Sequence, residues 1–330
     1  GMGLTASDLA KACGVSRSTV NRALLGEGRI NKDTKKMILE KAKELGYKPN
    51  LLARSLAMGK SMTIGVIVAD LNNQYFAGII DAVGKRVKNE KYLLNVTFHE
   101  KSKAAEKELI EKLVSFQASG IIISPINKGR EFEKYLKELL IPTVLIGNDL
   151  KRTTSVGIDE YQATVDAVKY IMQKGYRNVV FCCPPLKDDD GKNNLGHVLR
   201  LKGYREVMKS CGLKSCCIYG DDYLPQIEKN IKKSAGKPAY LCSGDIFANE
   251  VMTFLHQKGY MVKRDFGVMG FDYVKSYQNG IVNITTIDNH ISAIGDKAAE
   301  ILLDMINGKL ARDEYHHEII GYDIKEGNTL

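Results

Sequence analysis

The 330-residue sequence lacks most of the features that would assign it to a membrane, to secretion or to a metal site. No apolar run approaches the ~20 residues that a membrane-spanning helix needs. The N-terminus has no apolar stretch typical of a signal peptide, because Thr5 to Lys11 is already polar. The seven cysteines include no C-x-x-C pair, which favours reduced thiols over a zinc site or a disulfide framework. We therefore expect a cytoplasmic protein without bound metal.

Motifs of nucleotide binding and of nucleophilic catalysis are also missing. No G-x-G-x-x-G follows an expected strand, and neither G-x-x-x-x-G-K-[ST] nor G-x-S-x-G occurs. The run Asp188-Asp189-Asp190 offers paired carboxylates, but adjacent aspartates beside a glycine are typical of a solvated loop. The sequence thus predicts a binding protein with no cofactor rather than an enzyme.

Positive charge is present in excess, and most of it lies at the N-terminus. The formal net charge is +9. Residues 1–60 contain 12 basic and 5 acidic side chains, a net charge of +7, which leaves +2 for the remaining 270 residues. A small basic segment before a nearly neutral body suggests that only this segment contacts a polyanion.

The basic segment has the capping pattern of three short helices. Thr5–Asp8 has the spacing of a capping box, and Gly14 is a C-terminal breaker. Ser16 can cap a second helix over about residues 17–25, and Asn31 can cap a third. Two helices joined by a tight turn at Gly14 predict a helix-turn-helix.

The second predicted helix has an unusual outward face, formed by Arg17, Ser18, Asn21 and Arg22. A solvated helix more usually carries Glu and Lys, whereas short polar side chains and arginines suit base edges in a major groove. This composition favours duplex DNA as the partner over a generic three-helix bundle. Binding of RNA or of another protein is the remaining alternative.

The segment over residues 51–58 is more apolar than a solvated linker and too short for a stable isolated helix. One interpretation is a linker that packs on the next domain. The other is a hinge helix that folds only on contact with DNA and a second copy of the chain, where an apolar side chain wedges into a minor-groove step.

From Met62 onward, short apolar runs alternate with helical stretches, which predicts parallel sheets with helices on both faces. The expected strands are 62–69, 92–98, 120–124, 143–146, 155–158, 179–183, 216–219, 239–242, 267–269 and 316–322. Two such series predict two lobes, with a ligand in the cleft beyond the carboxyl ends of the strands.

Residues after these strands are candidates for ligand binding. Asn73, Tyr75 and Phe76 combine an amide for hydroxyl groups with aromatic rings that stack on a sugar or a base. Arg200 could donate to ligand oxygens and Asp272 could accept from hydroxyls. The structural alternatives are a core aromatic, a surface arginine and a turn cap.

These motifs together resemble the lactose-repressor (LacI/GalR) family of transcriptional regulators over the whole chain. The most specific motifs are residues 4–24, which include GVSRSTVNRAL, and residues 48–56. The resemblance implies an N-terminal all-α helix-turn-helix domain with a hinge helix, followed by a two-lobed α/β module of the type I periplasmic-binding-protein kind. The implied limits are 1–48 for the DNA-binding domain, 49–60 for the hinge and 61–330 for the effector-binding and dimerisation domain, with lobe 1 at about 61–161 and 290–321 and lobe 2 at about 162–289 and 322–330.

The resemblance also implies roles for individual residues. Those that would read bases are Arg17, Ser18 and Arg22. Those that would mainly contact phosphates are Thr5, Ser16, Thr19, Asn21 and Asn31. Leu56 would open the central operator step, flanked by Ala53 and Asn50. The implied effector contacts are Asn73, Tyr75, Phe76, Arg200, Asp272 and Asn289, with Asp159 a weaker candidate.

We therefore predict a repressor that binds a palindromic operator as a homodimer and responds to a small-molecule effector. A sugar or sugar derivative is preferred to a nucleoside. The alternatives are a small-molecule binding protein or a cytosolic sugar-processing enzyme that uses the same cleft. The chain departs from the family pattern at Gln74, where proline is common, at Gly147-Asn148, where Asp-Arg is frequent, and at Gly244-Asp245, where Asn-Asp or Ser-Asp is frequent.

Overall fold

The computed structural model describes residues 4–26, 28–50, 55, 59, 61–148, 150–183 and 195–330. The chain divides into two compact units, Gly1–Ser61 and Met62–Leu330. Within the described ranges, no helix is long and apolar enough to cross a membrane.

The N-terminal unit is a bundle of three helices: α1 (Ala6–Cys13), α2 (Arg17–Leu25) and α3 (Lys32–Glu44). Its core is small. Leu9, Val20 and Ile38, one from each helix, are fully buried against one another. Each such side chain contributes about 1.5–3 kcal/mol by leaving water, so the capping residues matter for a domain of this size.

The predicted helix boundaries of this unit are confirmed. Thr5 Oγ1 accepts from the N–H of Asp8 at 3.2 Å, and Asp8 Oδ2 accepts from the N–H of Thr5 at 3.0 Å, which completes the capping box. Gly14 ends α1 in the left-handed region at φ 66°, where glycine has no Cβ to clash. Ser16 then caps α2, since its Oγ accepts from the N–H of Thr19 at 3.1 Å.

The C-terminal unit alternates strands and helices. Its strands are β1 (Thr63–Val68), β2 (Leu93–Phe98), β3 (Gly120–Ile123), β4 (Thr143–Ile146), β5 (Ser155–Gly157), β6 (Asn178–Cys183), β7 (Cys216–Tyr219), β8 (Pro238–Cys242), β9 (Gly267–Phe271), β10 (Thr285–Asp288), β11 (His317–Ile319) and β12 (Asp323–Lys325). Its helices are α4 (Gln74–Asn89), α5 (Lys103–Ser115), α6 (Gly129–Glu138), α7 (Glu160–Gln173), α8 (Leu195–Ser210), α9 (Tyr223–Lys233), α10 (Asp245–Gln257) and α11 (Ile291–Ile306), with a 3₁₀ turn at Lys275–Tyr277.

These strands form two 6-stranded sheets, each the centre of one lobe. The first lobe has the strand order β11-β5-β4-β3-β1-β2 and the second has β12-β10-β9-β8-β6-β7. Neighbouring strands in both sheets are parallel, except that β10 and β12 are antiparallel. Strands such as β1 and β8 are almost entirely buried, as expected when helices cover both faces of a sheet. The predicted two-lobed parallel architecture is confirmed.

The chain passes between the two sheets after β5, after β10 and after β11. Each lobe is therefore built from separate stretches of sequence. The residue limits that the family resemblance implies for the lobes stay a prediction.

Two strands of the second sheet were missed by the sequence analysis, and one expected strand was too long. Instead of a single strand over 316–322, β11 covers His317–Ile319 in the first sheet and β12 covers Asp323–Lys325 in the second. Strand β10 begins with Thr285 and Thr286, which are buried, so it has no apolar run to mark it. Strand β12 has only three residues, two of them charged, so it has no apolar run either.

One buried hydroxyl joins two strands of the second lobe. Tyr204 on α8 is completely buried, and its hydroxyl donates to the carbonyl of Val179 at 2.7 Å. The same oxygen accepts from the N–H of Cys216 at 2.8 Å. Strand β7 is at the sheet edge, so this hydroxyl helps to hold it against β6.

We expect Tyr204→Phe to lower the free energy of unfolding by about 1–3 kcal/mol, because buried backbone groups lose their partner. Urea unfolding followed by circular dichroism measures this change. Tyr315→Phe removes a hydroxyl from a partly exposed ring and is the matched control, for which we expect less than about 0.5 kcal/mol. An equal effect of the two substitutions would show that the Tyr204 hydroxyl does not stabilise the sheet edge.

Candidate DNA-binding surface and effector cavity

The exposed face of α2 carries the three side chains that the family resemblance predicts to read bases, together with Asn21, which it predicts to contact phosphates mainly. Arg17, Ser18, Asn21 and Arg22 are all exposed, whereas Val20 on the opposite face is buried. The first turns of a recognition helix approach base edges most closely, and an arginine there can donate two hydrogen bonds to guanine. The arrangement is therefore suited to sequence reading in a major groove.

Four of the five residues predicted to contact phosphates lie at or near helix N-termini, and the fifth, Asn21, lies further along α2. Thr5, Ser16 and Asn31 are the N-caps of α1, α2 and α3. Thr19 lies near Ser16, with 2.8 Å between their hydroxyl oxygens. Helix N-termini carry partial positive charge and exposed N–H groups, so they bind phosphate well. These assignments stay predictions.

The predicted minor-groove residues are only partly within the described structure. Asn50 is described and exposed, whereas Ala53 and Leu56 lie outside the described residues. Their proposed roles stay predictions.

The C-terminal unit contains a cavity of about 230 Å³ between the two lobes. Its walls include residues that follow the strands of both sheets. Asp70, Ser124 and Gly147 come after β1, β3 and β4 of the first lobe, and Ser243 and Asp272 come after β8 and β9 of the second. Parallel strands place their carboxyl ends at one edge of each sheet, which is where ligands bind in such folds.

Arg200 on α8 is the central cation of the cavity and is only 7% exposed. Its Nε donates to Glu160 Oε2 at 2.6 Å, and one terminal nitrogen donates to the carbonyl of Ser243 at 2.8 Å. The Cζ atom of its guanidinium lies 3.8 Å from the centre of the Phe271 ring. A planar, delocalised cation fits this combination of a carboxylate, a carbonyl and an aromatic face, which a lysine could not contact together.

Asp272 is a buried carboxylate of the same wall. Its Oδ1 accepts from the side-chain amide of Asn289 at 3.0 Å. Burial raises the pKa of Asp272 to about 6, against the opposing effects of Arg200 and the Asn289 amide. Its backbone lies at φ 104°, a strained region for a residue with a Cβ. The fold therefore holds a poorly solvated carboxylate against the cavity at a cost in free energy, which is typical of a ligand-binding residue.

Asn73, Tyr75 and Phe76 form the first-lobe wall near the start of α4. Asn73 caps that helix, since its Oδ1 accepts from the N–H of Tyr75 at 3.1 Å. The rings of Tyr75 and Phe76 meet edge to face with 5.3 Å between their centres. The cavity is thus lined by aromatic surface on one side and by charged groups on the other.

The candidate Asp159 does not line the cavity among the described residues. Its Oδ1 caps α7 by accepting from the N–H of Gln162 at 2.9 Å, and the next residue, Glu160, lines the cavity instead. Asn289 is buried behind Asp272 and contacts it rather than the open space. The other predicted effector residues, which are Asn73, Tyr75, Phe76, Arg200 and Asp272, all line the cavity. Their binding roles stay predictions.

A buried carboxylate supports the first-lobe wall. Glu106 on α5 is fully buried and accepts from the N–H groups of Ile126 and Asn127 at 2.8 and 3.1 Å. Burial raises the pKa of Glu106. His99 lies 3.8 Å away and is bonded to the carbonyl of Ser124 at 3.0 Å. These contacts fix the loop after β3, which forms part of the cavity.

The departures from the family pattern have visible consequences. Gln74 Oε1 accepts from the hydroxyl of Ser276 at 2.7 Å, so this side chain connects the first lobe to the second. Asp245 is buried and accepts from the Thr286 hydroxyl at 2.7 Å and the Val274 N–H at 2.8 Å. Burial raises the pKa of Asp245, with a further effect from Asp272. It therefore braces the Asp272 loop from behind.

Several lining residues were not found by sequence reasoning. They are His99, Lys101, Glu160, His197, Ser243 and Phe247. Ser243 and His99 each follow a strand directly, a signal that could have found them. Glu160 and Phe247 have no such signal, because only the start of a helix brings them to the cavity. Within the described part of the chain, no group of three or more metal-ligating side chains could hold an ion.

Two family models match the chain. The model of "Bacterial regulatory proteins, lacI family" matches residues 5–50, which contain the described helix-turn-helix. The model of a "Periplasmic binding protein-like domain" matches residues 168–329. The chain belongs to the LacI family. It is therefore a transcriptional regulator with a DNA-binding domain and an effector-binding domain.

Individual relatives agree with this assignment. Catabolite control protein A of Priestia megaterium is 27% identical over 315 residues, with 93% of each chain covered. The crystal structure of a LacI-family transcriptional regulator from Silicibacter pomeroyi is 25% identical, with a TM-score of 0.82 and 99% of each chain covered. The lac repressor dimer bound to operator and the anti-inducer ONPF shares the fold, with a TM-score of 0.86, 21% identity and 99% of each chain covered.

We expect Asp272→Asn to stabilise this LacI-family regulator in the absence of effector. The raised pKa of Asp272 shows that the folded state disfavours its ionised form, so the contribution of the native carboxyl to stability is lost as the pH rises from about 4 through 6. The Asp272→Asn variant avoids this loss. Its free energy of unfolding should exceed that of the native protein by up to about 3 kcal/mol above pH 7, and the difference should disappear below about pH 4.

Urea unfolding at pH 4, 6 and 8 measures this dependence. Substitution of the exposed Asp313 by Asn (Asp313→Asn) serves as the control. Its free energy of unfolding should differ from that of the native protein by less than about 0.5 kcal/mol at all three pH values. A destabilised Asp272→Asn variant at pH 8 would contradict the account of a carboxylate held at a cost.

Proposed function

We propose that this protein represses transcription by binding a palindromic operator as a homodimer, and that a sugar or sugar derivative in the inter-lobe cavity alters this binding. In this proposal residues 1–48 bind DNA, residues 49–60 form a hinge helix, and residues 61–330 bind the effector and dimerise. It would act in the cytoplasm, where the chromosome is accessible.

The exposed face of α2 is the observation that carries the DNA-binding part of the proposal. Arg17, Ser18 and Arg22 project from a helix that is held by its own cap and by a small buried core. The N-caps of α1 and α3 add two further phosphate-binding helix ends. Base contacts and phosphate contacts would then come from different residues of one rigid unit.

The homodimer follows from how such a unit reads DNA. One helix-turn-helix covers only a short half-site, and a palindromic operator with two-fold symmetry matches a two-fold symmetric dimer. The lac repressor, which shares this fold, is a dimer on its operator. We therefore expect two copies of this chain on one site.

The effector part of the proposal rests on the cavity between the lobes. Aromatic rings from the first lobe and polar groups from the second surround one space, a composition that suits the apolar faces and hydroxyl edges of a sugar. A ligand that touches both lobes stabilises one lobe arrangement over another. DNA affinity then changes by the difference in ligand affinity between the two arrangements.

An enzyme in the same cavity is less well supported by the geometry. The Ser243 hydroxyl lines the cavity but has no hydrogen-bond partner among the described residues, so no described base activates it as a nucleophile. Arg200 and Asp272 are held by Glu160 and Asn289 in contacts that suit binding.

Selection from random duplexes with the full-length protein tests the proposed operator recognition. We expect a palindromic consensus, and we expect Arg22→Ala to cost about 1–3 kcal/mol on that site and to relax its sequence preference. Lys35→Ala on α3 is the control. A phosphate contact there would weaken specific and non-specific binding equally and reduce the salt dependence.

Fluorescence anisotropy with consensus and scrambled duplexes, together with light scattering of the complex, provides both readouts. Recovery of an asymmetric single site bound by one chain would rule out the homodimer. Equal losses for Arg22→Ala on both duplexes would rule out base reading by Arg22.

A further inference from the structure

We propose that the effector is an amino sugar, a ligand with hydroxyl groups and a protonated amine. This inference rests on the proposed function, because it specifies the ligand of the same inter-lobe cavity. The charged groups around that cavity favour a ligand that brings positive charge, and its hydrogen-bond acceptors and aromatic rings suit a sugar that donates hydrogen bonds.

The charge of the cavity wall is the first observation. Three of the described lining residues are carboxylates, namely Asp70, Glu160 and Asp272. Two are cations, Lys101 and Arg200, so negative groups outnumber positive ones. The two histidines add no positive charge. His99 accepts the N–H of Lys101 through Nδ1, so Nε2 is left to donate to a carbonyl, and burial lowers the pKa of His197 well below its usual value.

The engagement of Arg200 is the second observation. Glu160 and the Ser243 carbonyl accept hydrogen bonds from its guanidinium, and Phe271 covers one face. A phosphate or carboxylate ligand would have to compete with Glu160 for this cation while lying near Asp272. The cavity therefore disfavours an anionic ligand.

The third observation is a pair of unpartnered polar groups near Asp272, one an acceptor and one a hydroxyl that can donate or accept. The Oδ1 atom of Asn289 and the hydroxyl of Ser243 are buried and have no hydrogen-bond partner among the described residues. Asn289 already donates its amide to Asp272, so its oxygen can only accept. Asn289 lies behind Asp272 and does not line the cavity, so a ligand that donates N–H or O–H groups at this end of the cavity would satisfy the Asp272 carboxylate directly.

Aromatic side chains complete the site. Tyr75, Phe76 and Phe247 all line the cavity. The face of an aromatic ring attracts a cation and also packs on the C–H face of a sugar ring. Carboxylates and aromatic faces together favour an ammonium group, and a charge-assisted bond to a carboxylate is about twice as strong as a neutral one.

Isothermal titration calorimetry of the full-length protein at pH 7.0 tests this assignment. The probes are glucosamine, galactosamine and mannosamine, each compared with its parent hexose, its N-acetyl derivative and its 6-phosphate. We expect at least one free amine to bind about tenfold or more tightly than its parent and its N-acetyl derivative, and the 6-phosphate to bind most weakly.

Two substitutions identify the groups responsible. Asp272→Asn should reduce the preference for the amine over the parent hexose, because the ionised partner is removed. Glu160→Gln should reduce the same preference and raise affinity for the 6-phosphate, because Arg200 loses its carboxylate. Asp313→Asn, outside the cavity, is the control and should leave the preference unchanged.

The outcomes separate this inference from the proposed function. If a parent hexose, an N-acetyl sugar or a 6-phosphate binds as tightly as every amine, the amino-sugar assignment is wrong while the sugar-responsive function stands. If no sugar of any class binds, the assignment and the sugar effector are both wrong. Operator binding is measured separately and remains a test of the repressor itself.

Discussion

The buried charge cluster around Arg200 is the interaction on which the cavity depends. Glu160 begins α7 just after the chain leaves the first sheet, Arg200 lies on α8, and Asp272 follows β9. One guanidinium holds together parts of the chain that lie far apart in sequence. A buried cation with a carboxylate on one side and an aromatic ring on the other has little freedom to move, so the polar wall of the cavity is fixed before a ligand arrives.

This arrangement is costly without a ligand. Asp272 is a buried carboxylate with a raised pKa in a strained backbone conformation, and the Asn289 Oδ1 atom and the Ser243 hydroxyl have no hydrogen-bond partner among the described residues. Costs of this kind occur in binding sites because a ligand relieves them. A ligand that donates hydrogen bonds to this wall would stabilise the lobe arrangement that it contacts. In the proposed function, the resulting free-energy difference between lobe arrangements changes the affinity for DNA.

The sequence predicted local features well. The capping box at Thr5 and the cap at Ser16 depend on residues three positions apart, and the buried parallel strands appear as apolar runs. Features that depend on distant partners were not predictable. The hydrogen bond of Arg200 to Glu160 joins residues 40 positions apart. Asp159 caps α7 while Glu160 lines the cavity, and this distinction depends on the residue at which α7 begins. Strand β10 was missed because it begins with threonines instead of an apolar run. These threonines can be buried because they form hydrogen bonds with Thr329 and Asp245, which are distant in sequence.

The proposed regulation requires the cavity and the DNA-binding surface to be energetically coupled. Calorimetric titration of the effector into the protein, with and without saturating operator duplex, tests it most directly. Thermodynamic linkage requires the operator to change the effector Kd by the same factor by which the effector changes the operator Kd. We predict equal factors, on the order of 5- to 150-fold. An effector Kd that is identical with and without operator would contradict the account.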